Sequence, residues 1–201
     1  MSLREAKKEK TATAILIAAS SRFTTDGIDS ARMEEIAADA EVSVGTLYNY
    51  FGSKQALLMA LFDAEVREML TLGSAATSDD DDPVVAATHL FNVYLDGMLG
   101  INPDLLREVL RFSLGGGEGI HELARLDEEL MSQLAGLLMA HQKVGRINAS
   151  VAIDDAVFLL YSVLVTELMI YLSLDEIGPE AVRANIARRV QLVFTGIKHQ
   201  E

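Results

Sequence analysis

Hydrogen-bonding side chains are concentrated between residues 43 and 54, where the chain reads Ser-Val-Gly-Thr-Leu-Tyr-Asn-Tyr-Phe-Gly-Ser-Lys. Hydroxyl and ammonium groups donate hydrogen bonds to phosphate oxygens, and the amide of Asn49 can donate to and accept from the edge of an adenine base. Val44 and the methyl group of Thr46 suit contact with a thymine methyl group, and Gly45 lets the backbone approach closely. These residue types and spacings indicate chemistry directed at nucleic acid.

The predicted DNA contacts lie on the outward face of this stretch or beside it, whereas Leu47 is expected to face the core. Arg32 is either a phosphate-contacting cation or a plain surface arginine, and Tyr50 either contacts phosphate or is a core ring with a solvated hydroxyl. Lys54 begins a predicted helix and can meet a phosphate together with the helix N-terminus, with an exposed lysine as the alternative. The full predicted set is Arg32, Ser43, Val44, Gly45, Thr46, Tyr48, Asn49, Tyr50 and Lys54.

Two short helical patterns must position these side chains. Met33, Ile36 and Ala37 recur at helical spacing and predict a first helix with one apolar stripe. Ser43 suits the N-cap of a second helix, because its hydroxyl can accept from a backbone N–H that has no partner inside the helix. Only a short break separates the two patterns, so residues 32–51 are predicted to form a helix-turn-helix.

The run Val-Ser-Val-Gly-Thr-Leu-Tyr-Asn-Tyr-Phe-Gly-Ser-Lys-Gln-Ala-Leu at residues 42–57 resembles the signature of the TetR family of bacterial transcriptional regulators. The usual form reads Val-Ser-Lys-Gly-Thr-Leu-Tyr-x-Tyr/His-Phe-x-Ser/Asn-Lys-x-x-Leu. This chain has Val44 where a lysine is common and Glu41 where the turn usually has glycine. Alanine and arginine at residues 31–32 also replace the Thr or Ser that usually caps the first helix and bonds a phosphate, and we expect Ser30 to take over the capping.

Helical periodicity continues beyond the motif and predicts an all-α chain of about nine helices. The resemblance implies an N-terminal three-helix DNA-binding head at residues 5–52 and a helical body at residues 53–201 that binds a ligand and dimerises. It also implies that the last two helices form the dimer interface, as half of a four-helix bundle. The predicted dimer contacts are Leu164, Leu168, Val190, Val193, Phe194 and Ile197.

The resemblance further implies a ligand pocket among the helices that follow the head. Inward positions there carry few strongly charged residues, so we expect a small, largely apolar effector, with ordinary core packing as the alternative for each single residue. Asp127 and its acidic neighbours are interpreted as a solvated face. The predicted pocket residues are Phe62, Val66, Phe91, Tyr94, Met98, Phe112, Leu130, Met139, Phe158 and Tyr161.

Composition narrows the class of protein. The net charge of −13 lies almost wholly outside the head: residues 1–60 hold 7 basic and 8 acidic side chains, a net −1, and the rest hold 10 basic and 22 acidic ones, a net −12. Cysteine is absent, which excludes a disulfide framework and a thiolate metal site. No His-Glu-x-x-His pair or Gly-x-Ser-x-Gly turn occurs, so we predict no catalytic residue, no metal, no cofactor and no enzyme activity. No stretch is apolar over the width of a bilayer, which predicts a cytoplasmic protein with no membrane partner.

The function predicted from these features is that of a ligand-responsive transcriptional regulator. A homodimer would bind a pseudo-palindromic operator in double-stranded DNA, and a small-molecule effector would release it, as in a repressor. The alternative is a helical ligand-binding or protein-interaction module that has lost specific DNA binding, which Val44, Glu41 and the missing capping hydroxyls favour. A third hypothesis, a small helical enzyme, requires turnover of a bound ligand without an added cofactor.

Overall fold

The computed structural model describes residues 2–76, 82–114, 118–174 and 176–196, and it confirms the all-α prediction for them. Within these ranges the chain forms nine helices and no strands. The helices are α1 (Leu3–Asp26), α2 (Met33–Asp39), α3 (Val44–Phe51), α4 (Lys54–Ala76), α5 (Pro83–Gly100), α6 (Pro103–Leu114), α7 (Glu118–Lys143), α8 (Ile153–Ser173) and α9 (Pro179–Thr195).

Packing divides the chain into two compact units. The first comprises Met1–Glu65 and Ile101–Leu123, and the second comprises Val66–Gly100 and Ala124–Glu201. The first unit therefore contains α1 to α3, the start of α4, and α6, and the second contains the rest of α4 with α5, most of α7, α8 and α9. This division by packing differs from the functional boundary expected between residues 52 and 53, which stays a prediction.

Local signals in the sequence start α3 and α4. The hydroxyl oxygen of Ser43 accepts a hydrogen bond from the backbone N–H of Thr46 at 3.0 Å, and that of Ser53 accepts from Ala56 at 3.0 Å. Each bond gives a partner to a backbone N–H that the helix itself leaves unpaired. The predicted cap at Ser43 is therefore confirmed, and Ser53 caps α4 in the same way.

The start of α2 has no such cap. Its N-cap is Arg32, which makes no side-chain capping hydrogen bond, so the prediction that Ser30 caps this helix is wrong. Glu34 and Glu35 lie in the first turn, where carboxylates interact favourably with the positive end of the helix dipole. Because α2 has only 7 residues, it is too short to be stable alone and depends on its packing against α1 and α3.

The end of α2 is a left-handed turn. The N–H of Val42 donates to the carbonyl of Ala37 at 2.9 Å and the N–H of Glu41 donates to that of Ala38 at 3.1 Å, which are the two bonds of a Schellman motif. Glu41 has a φ of 55°, a positive value that no other non-glycine residue in the described ranges adopts. The position at which the resemblance leads one to expect glycine thus has the backbone conformation that glycine favours.

In the second unit, α8 packs against α9, and α9 packs against α5. By length and composition α8 is the one helix among the described residues that could by itself cross a membrane, although three acidic residues interrupt it and core helices of soluble proteins have the same composition. The carboxylate of Glu167 on α8 is fully buried. It pairs with Arg189 of α9 and accepts a hydrogen bond from the side-chain amide of Asn185, also of α9, at 3.1 Å. Burying a carboxylate is costly unless it is paired, so this ion pair and hydrogen bond tie α8 to α9.

Candidate nucleic-acid interface

α3 presents polar side chains on the face that it does not use for packing. Leu47 is fully buried, as predicted, while Tyr48 next to it is 45% exposed. The helix is therefore anchored by one side and available for contacts on the other. The exposed members of the predicted set on and beside α3 are Ser43, Gly45, Tyr48 and Asn49, and the half-buried ones are Val44, Thr46 and Tyr50.

Hydrogen bonds order the first turn of α3. In addition to capping the helix, the hydroxyl oxygen of Ser43 lies 2.8 Å from Oγ1 of Thr46, and either hydroxyl can be the donor. Each side chain therefore restricts the rotamers of the other, which lowers the conformational entropy that a DNA contact would remove. The two hydroxyls are arranged before any partner binds.

No contact with the described residues of the chain requires glycine at position 45. Gly45 lies in α3 without a positive φ, and a Cβ atom added there would meet only Oγ of Ser43, at the ordinary contact distance of 3.9 Å. A glycine inside a helix costs about 1 kcal/mol of stability relative to alanine. A residue that weakens its own helix and leaves open space beside it favours a close approach from outside the chain.

Arg32 is an exposed cation at the edge of the same motif. Its side chain is 69% exposed, and its Nε lies 3.9 Å from Oε2 of Glu34. An exposed ion pair of this length contributes little stability, so the guanidinium can turn toward a phosphate at small cost. The structure is compatible with both the phosphate contact and the plain surface arginine.

Lys54 has different partners from those that the sequence suggested. Its Nζ donates to the backbone carbonyl oxygens of Ile28 at 2.7 Å, Asp29 at 3.0 Å and Ala31 at 3.2 Å. An ammonium group has three donors, so these three carbonyls saturate it. In this arrangement all three donors of Lys54 are engaged within the chain, which differs from a freely exposed lysine, and its contact with a phosphate stays a prediction.

Arg22, which the sequence analysis did not single out, joins α1 to α2. It donates to both carboxylate oxygens of Asp39, from Nε at 2.6 Å and from Nη2 at 3.1 Å, and from Nη1 to Asp26 at 3.3 Å. The hydrogen bond from Arg22 holds the pKa of Asp39 below its ordinary value, and the bond to Asp39 raises the pKa of Arg22. No local motif identifies this residue, because Asp39 lies 17 residues further along the chain.

The predicted pocket residues differ in burial. Met139 and Phe158 are 52% and 61% exposed, and their assignment to a pocket stays a prediction. Phe112 belongs to the first unit, where it lines a cavity of about 170 Å³ with Ile28, Lys54 and other residues. The buried members of the set are Phe62, Val66, Phe91 and Tyr94, and the half-buried members are Met98, Phe112, Leu130 and Tyr161.

The second unit holds hydrogen bonds from two predicted pocket residues, Tyr94 and Tyr161, to Gln133 and Asp127, which the sequence did not assign to its interior. The hydroxyl of Tyr94 donates to Oε1 of Gln133 at 2.7 Å, and Nε2 of Gln133 donates to the carbonyl of Leu70 at 2.8 Å. Asp127 does not lie on a solvated face: it is half-buried, it is hydrogen-bonded to Tyr161, and burial raises the pKa of its carboxyl. Burial also raises the pKa of both tyrosines. This interior can therefore bond a polar group of a ligand, although no group of three metal-ligating side chains occurs among the described residues.

The predicted dimer contacts are only partly accessible. Val190 and Leu164 are buried by the chain's own packing, and their contact with a partner stays a prediction. Exposed apolar side chains that were not predicted there are Phe158 and Leu159 on α8 and Leu192 on α9, and only 28% of the most apolar window of α8 is buried. Leu168, Val193 and Phe194 are half-buried, and Ile197 lies outside the described residues.

The helix-turn-helix segment matches a known protein family. The family model described as bacterial regulatory proteins, tetR family, matches residues 15–61, which include α2, α3 and parts of α1 and α4. An HTH-type transcriptional repressor from Streptomyces coelicolor is 28% identical over 157 residues, which cover 76% of this chain and 75% of the relative.

Solved structures of such proteins have a similar fold. FadR from Bacillus subtilis, solved in complex with stearoyl-CoA, has a TM-score of 0.72 at 17% identity, and the match covers 92% of this chain and 99% of that one. FadR from Thermus thermophilus, a TetR-family transcriptional repressor solved with lauroyl-CoA, has a TM-score of 0.71 at 20% identity, covering 94% of this chain and 96% of that one. At these identities the likeness shows the fold and not the ligand.

Proposed function

We propose that this chain, which belongs to the TetR family of bacterial transcriptional regulators, is a cytoplasmic homodimeric repressor that a small, largely apolar effector releases from a pseudo-palindromic operator. The observation that carries this proposal is the outer face of α3. Its capped first turn, the open space at Gly45 and the exposed Tyr48 and Asn49 lie on one short helix.

α3 and its flanks supply both kinds of contact that sequence-specific DNA binding needs. The exposed amide of Asn49 suits the edge of an adenine, and Tyr48 and Arg32 suit phosphate oxygens. A recognition helix contacts base edges through its N-terminal residues, where α3 carries the paired hydroxyls of Ser43 and Thr46. Two such helices in a dimer read half-sites about one helical turn apart.

The apolar face of α8 and α9 supports the proposed homodimer. Phe158, Leu159 and Leu192 are large apolar side chains exposed on these two helices, which pack against each other, and only 28% of the most apolar part of α8 is buried within the chain. The occupant that fits is a second copy of the chain, because pairing α8 and α9 of two copies forms a four-helix bundle and supplies the second reading head.

The interior of the second unit supports an effector with an apolar part and one polar group. Phe91 and Tyr94 are buried there, and the Tyr94–Gln133 hydrogen bond is a place where a polar ligand atom could exchange partners. Two FadR structures with this fold hold fatty acyl-CoA molecules, so acyl-CoA thioesters of different chain length are the first ligands to test. Free fatty acids and uncharged apolar compounds of similar length are the comparison, since they separate recognition of the chain from recognition of the polar group.

Release of DNA by the effector follows from linkage. α4 is continuous from the first unit into the second, with the division after Glu65, so a change in its conformation reaches both. When operator and effector favour different arrangements, each lowers the affinity for the other by the same coupling free energy, typically about 1–3 kcal/mol.

A titration of the protein with labelled DNA from upstream of its own gene tests the proposal, and Gly45→Ala is the sharpest variant. Alanine should raise the melting temperature because it stabilises α3, yet it should lower operator affinity by roughly tenfold or more because its methyl group occupies the open space beside the helix. Gly136→Ala is the matched control: Gly136 lies in α7, its added Cβ meets nothing within 4 Å, and only the melting temperature should rise. Equal operator affinity of Gly45→Ala and the natural protein would remove the observation on which the proposal rests.

A ligand-binding module without specific DNA binding is the second candidate. The acidic Glu41 in the turn of the motif, and valine in place of a common lysine at position 44, both weaken the local positive field that DNA binding uses. This candidate replaces the regulator if no fragment is bound more tightly than non-specific DNA across a salt series, while a ligand still raises the melting temperature.

A further inference from the structure

We propose that Lys54 is a positioning residue that ties the start of α4 to the loop before α2, and that it acts on DNA binding through α2 and α3 instead of contacting a phosphate. The tests by DNA titration rest on the proposed function, whereas the test by hydrogen exchange does not. The resemblance assigns the equivalent lysine to the DNA backbone, so the two roles lead to different measurements.

The geometry assigns all three donors of the ammonium group to one loop. The bonds from Nζ to the carbonyl oxygens of Ile28, Asp29 and Ala31 measure 2.7, 3.0 and 3.2 Å. Hydrogen bonds from a charged donor are stronger than those between neutral groups. A phosphate could replace these carbonyls only if the loop lost its partners, so contact with DNA and support of the loop compete for the same group.

The loop needs an external partner because α2 has little means of fixing its own start. This loop comprises residues 27–32 and begins at Gly27, which has a φ of 78°. The backbone N–H of Ala31 donates to the carbonyl of Gly27 at 3.0 Å. The N-cap Arg32 makes no side-chain capping bond, and the helix that follows has only 7 residues. Lys54 lies 23 to 26 residues further along the chain and holds this loop at the first residue of α4. A displacement of α4 is therefore transmitted through Lys54 to α2, which packs against α3.

The decisive experiment is Lys54→Met in the full chain, titrated with operator and with scrambled DNA over a salt series at a temperature where the variant is folded. Methionine keeps an unbranched side chain and removes the charge and all three donors. Operator affinity should fall roughly tenfold, equivalent to about 1.4 kcal/mol, while affinity for scrambled DNA changes much less. The dependence of the logarithm of affinity on the logarithm of salt concentration should keep its slope.

A phosphate contact has the opposite signature. Its loss weakens binding to all sequences alike and lowers the magnitude of the salt slope by about 0.9. That result for Lys54→Met would overturn the proposal. Arg32→Gln provides the reference for this signature, since Arg32 is an exposed cation whose ion pair with Glu34 spans 3.9 Å. A variant that melts earlier but binds operator normally would also overturn it, because Lys54 would then be a stabilising residue only.

Hydrogen exchange gives a readout that needs no operator. Backbone amides of residues 27–36 should exchange faster in Lys54→Met, whereas amides of α9 should not change. Lys54→Gln serves the same purpose if the methionine variant does not fold. Unchanged exchange in residues 27–36 would overturn the proposal. Failure of the natural protein to prefer any operator would instead count against the proposed function and leave this readout intact.

Discussion

α2 and α3 have almost the same length, 7 and 8 residues, but different contacts hold them in place. α3 begins at a serine that caps it and ends at Gly52, which has a φ of 72°. α2 begins without a side-chain cap and ends at a glutamate in the left-handed region. Its supports come from other helices: Arg22 of α1 bonds Asp39, and Lys54 of α4 bonds the preceding loop.

The difference shows that α3, the proposed recognition helix, is held by adjacent residues, whereas α2 is held by tertiary contacts. A substitution at a cap of α3 should therefore act locally and strongly. A substitution at one of the supports of α2 should act through several partners and be partly compensated by the others.

The largest stability effect among the tests of this comparison is expected for Ser43→Ala. Loss of the capping bond to Thr46 should lower the free energy of unfolding by about 1 kcal/mol, and by up to about 2 kcal/mol in a favourable context. Urea unfolding measures this change, with Arg32→Ala as the control at the uncapped start of α2. The comparison breaks if both variants lose the same stability.

A smaller change, in the stabilising direction, is expected for Glu41→Gly. Glycine removes the cost of the left-handed conformation but increases the entropy of the unfolded chain, which leaves a net gain of roughly 0.5–1 kcal/mol. Glu41→Ala removes the carboxylate and keeps the backbone cost, so the difference between the two variants in urea unfolding isolates the backbone term. A glycine variant no more stable than the alanine variant would contradict this account of the turn.

The smallest effect is expected for Arg22→Gln, because this network is exposed to solvent and screened by salt. The pKa of Asp39 is lower in the folded protein than its ordinary value. Its contribution is therefore fully present above the unfolded pKa of about 3.9 and is lost as the pH falls through the folded value. The melting temperatures of the natural protein and Arg22→Gln should differ near pH 7 and converge in acid. A difference that persists at the lowest pH would show that Arg22 acts by packing and not by its charge.

Two structural features of α3 that the sequence predicts are confirmed, and both depend only on residues close by in the chain. The Ser43 cap involves a residue three positions away, and the burial of Leu47 follows from helical spacing. Lys54 and Arg22 depend on partners 17 to 26 residues away, so their roles follow only from the tertiary fold. The wrong prediction of a cap at Ser30 has the same cause. It assumed that a side chain next to the helix start caps α2, whereas the loop before α2 is held by Lys54 of α4.

The body of the protein shows a second limit of pattern reasoning. α8 is apolar on several faces, and periodicity alone does not say which face the chain covers by itself. Phe158, which is predicted to line a pocket, is exposed, and Val190 of α9, which is predicted to contact a partner, is buried within the chain. Asp127 shows the converse, since an acidic residue among acidic neighbours is half-buried beside Tyr161.

The exposed apolar side chains of α8 have a consequence for how the stability of this protein depends on its concentration. If a second copy covers them, unfolding becomes coupled to dissociation, and the melting temperature rises with protein concentration. A cell that inherits few copies would then hold a larger unfolded fraction, which proteases remove, and the level of this protein would fall further than dilution alone dictates. Abundance and folding would in that way reinforce each other, so regulation by this protein would have a threshold set by its own concentration.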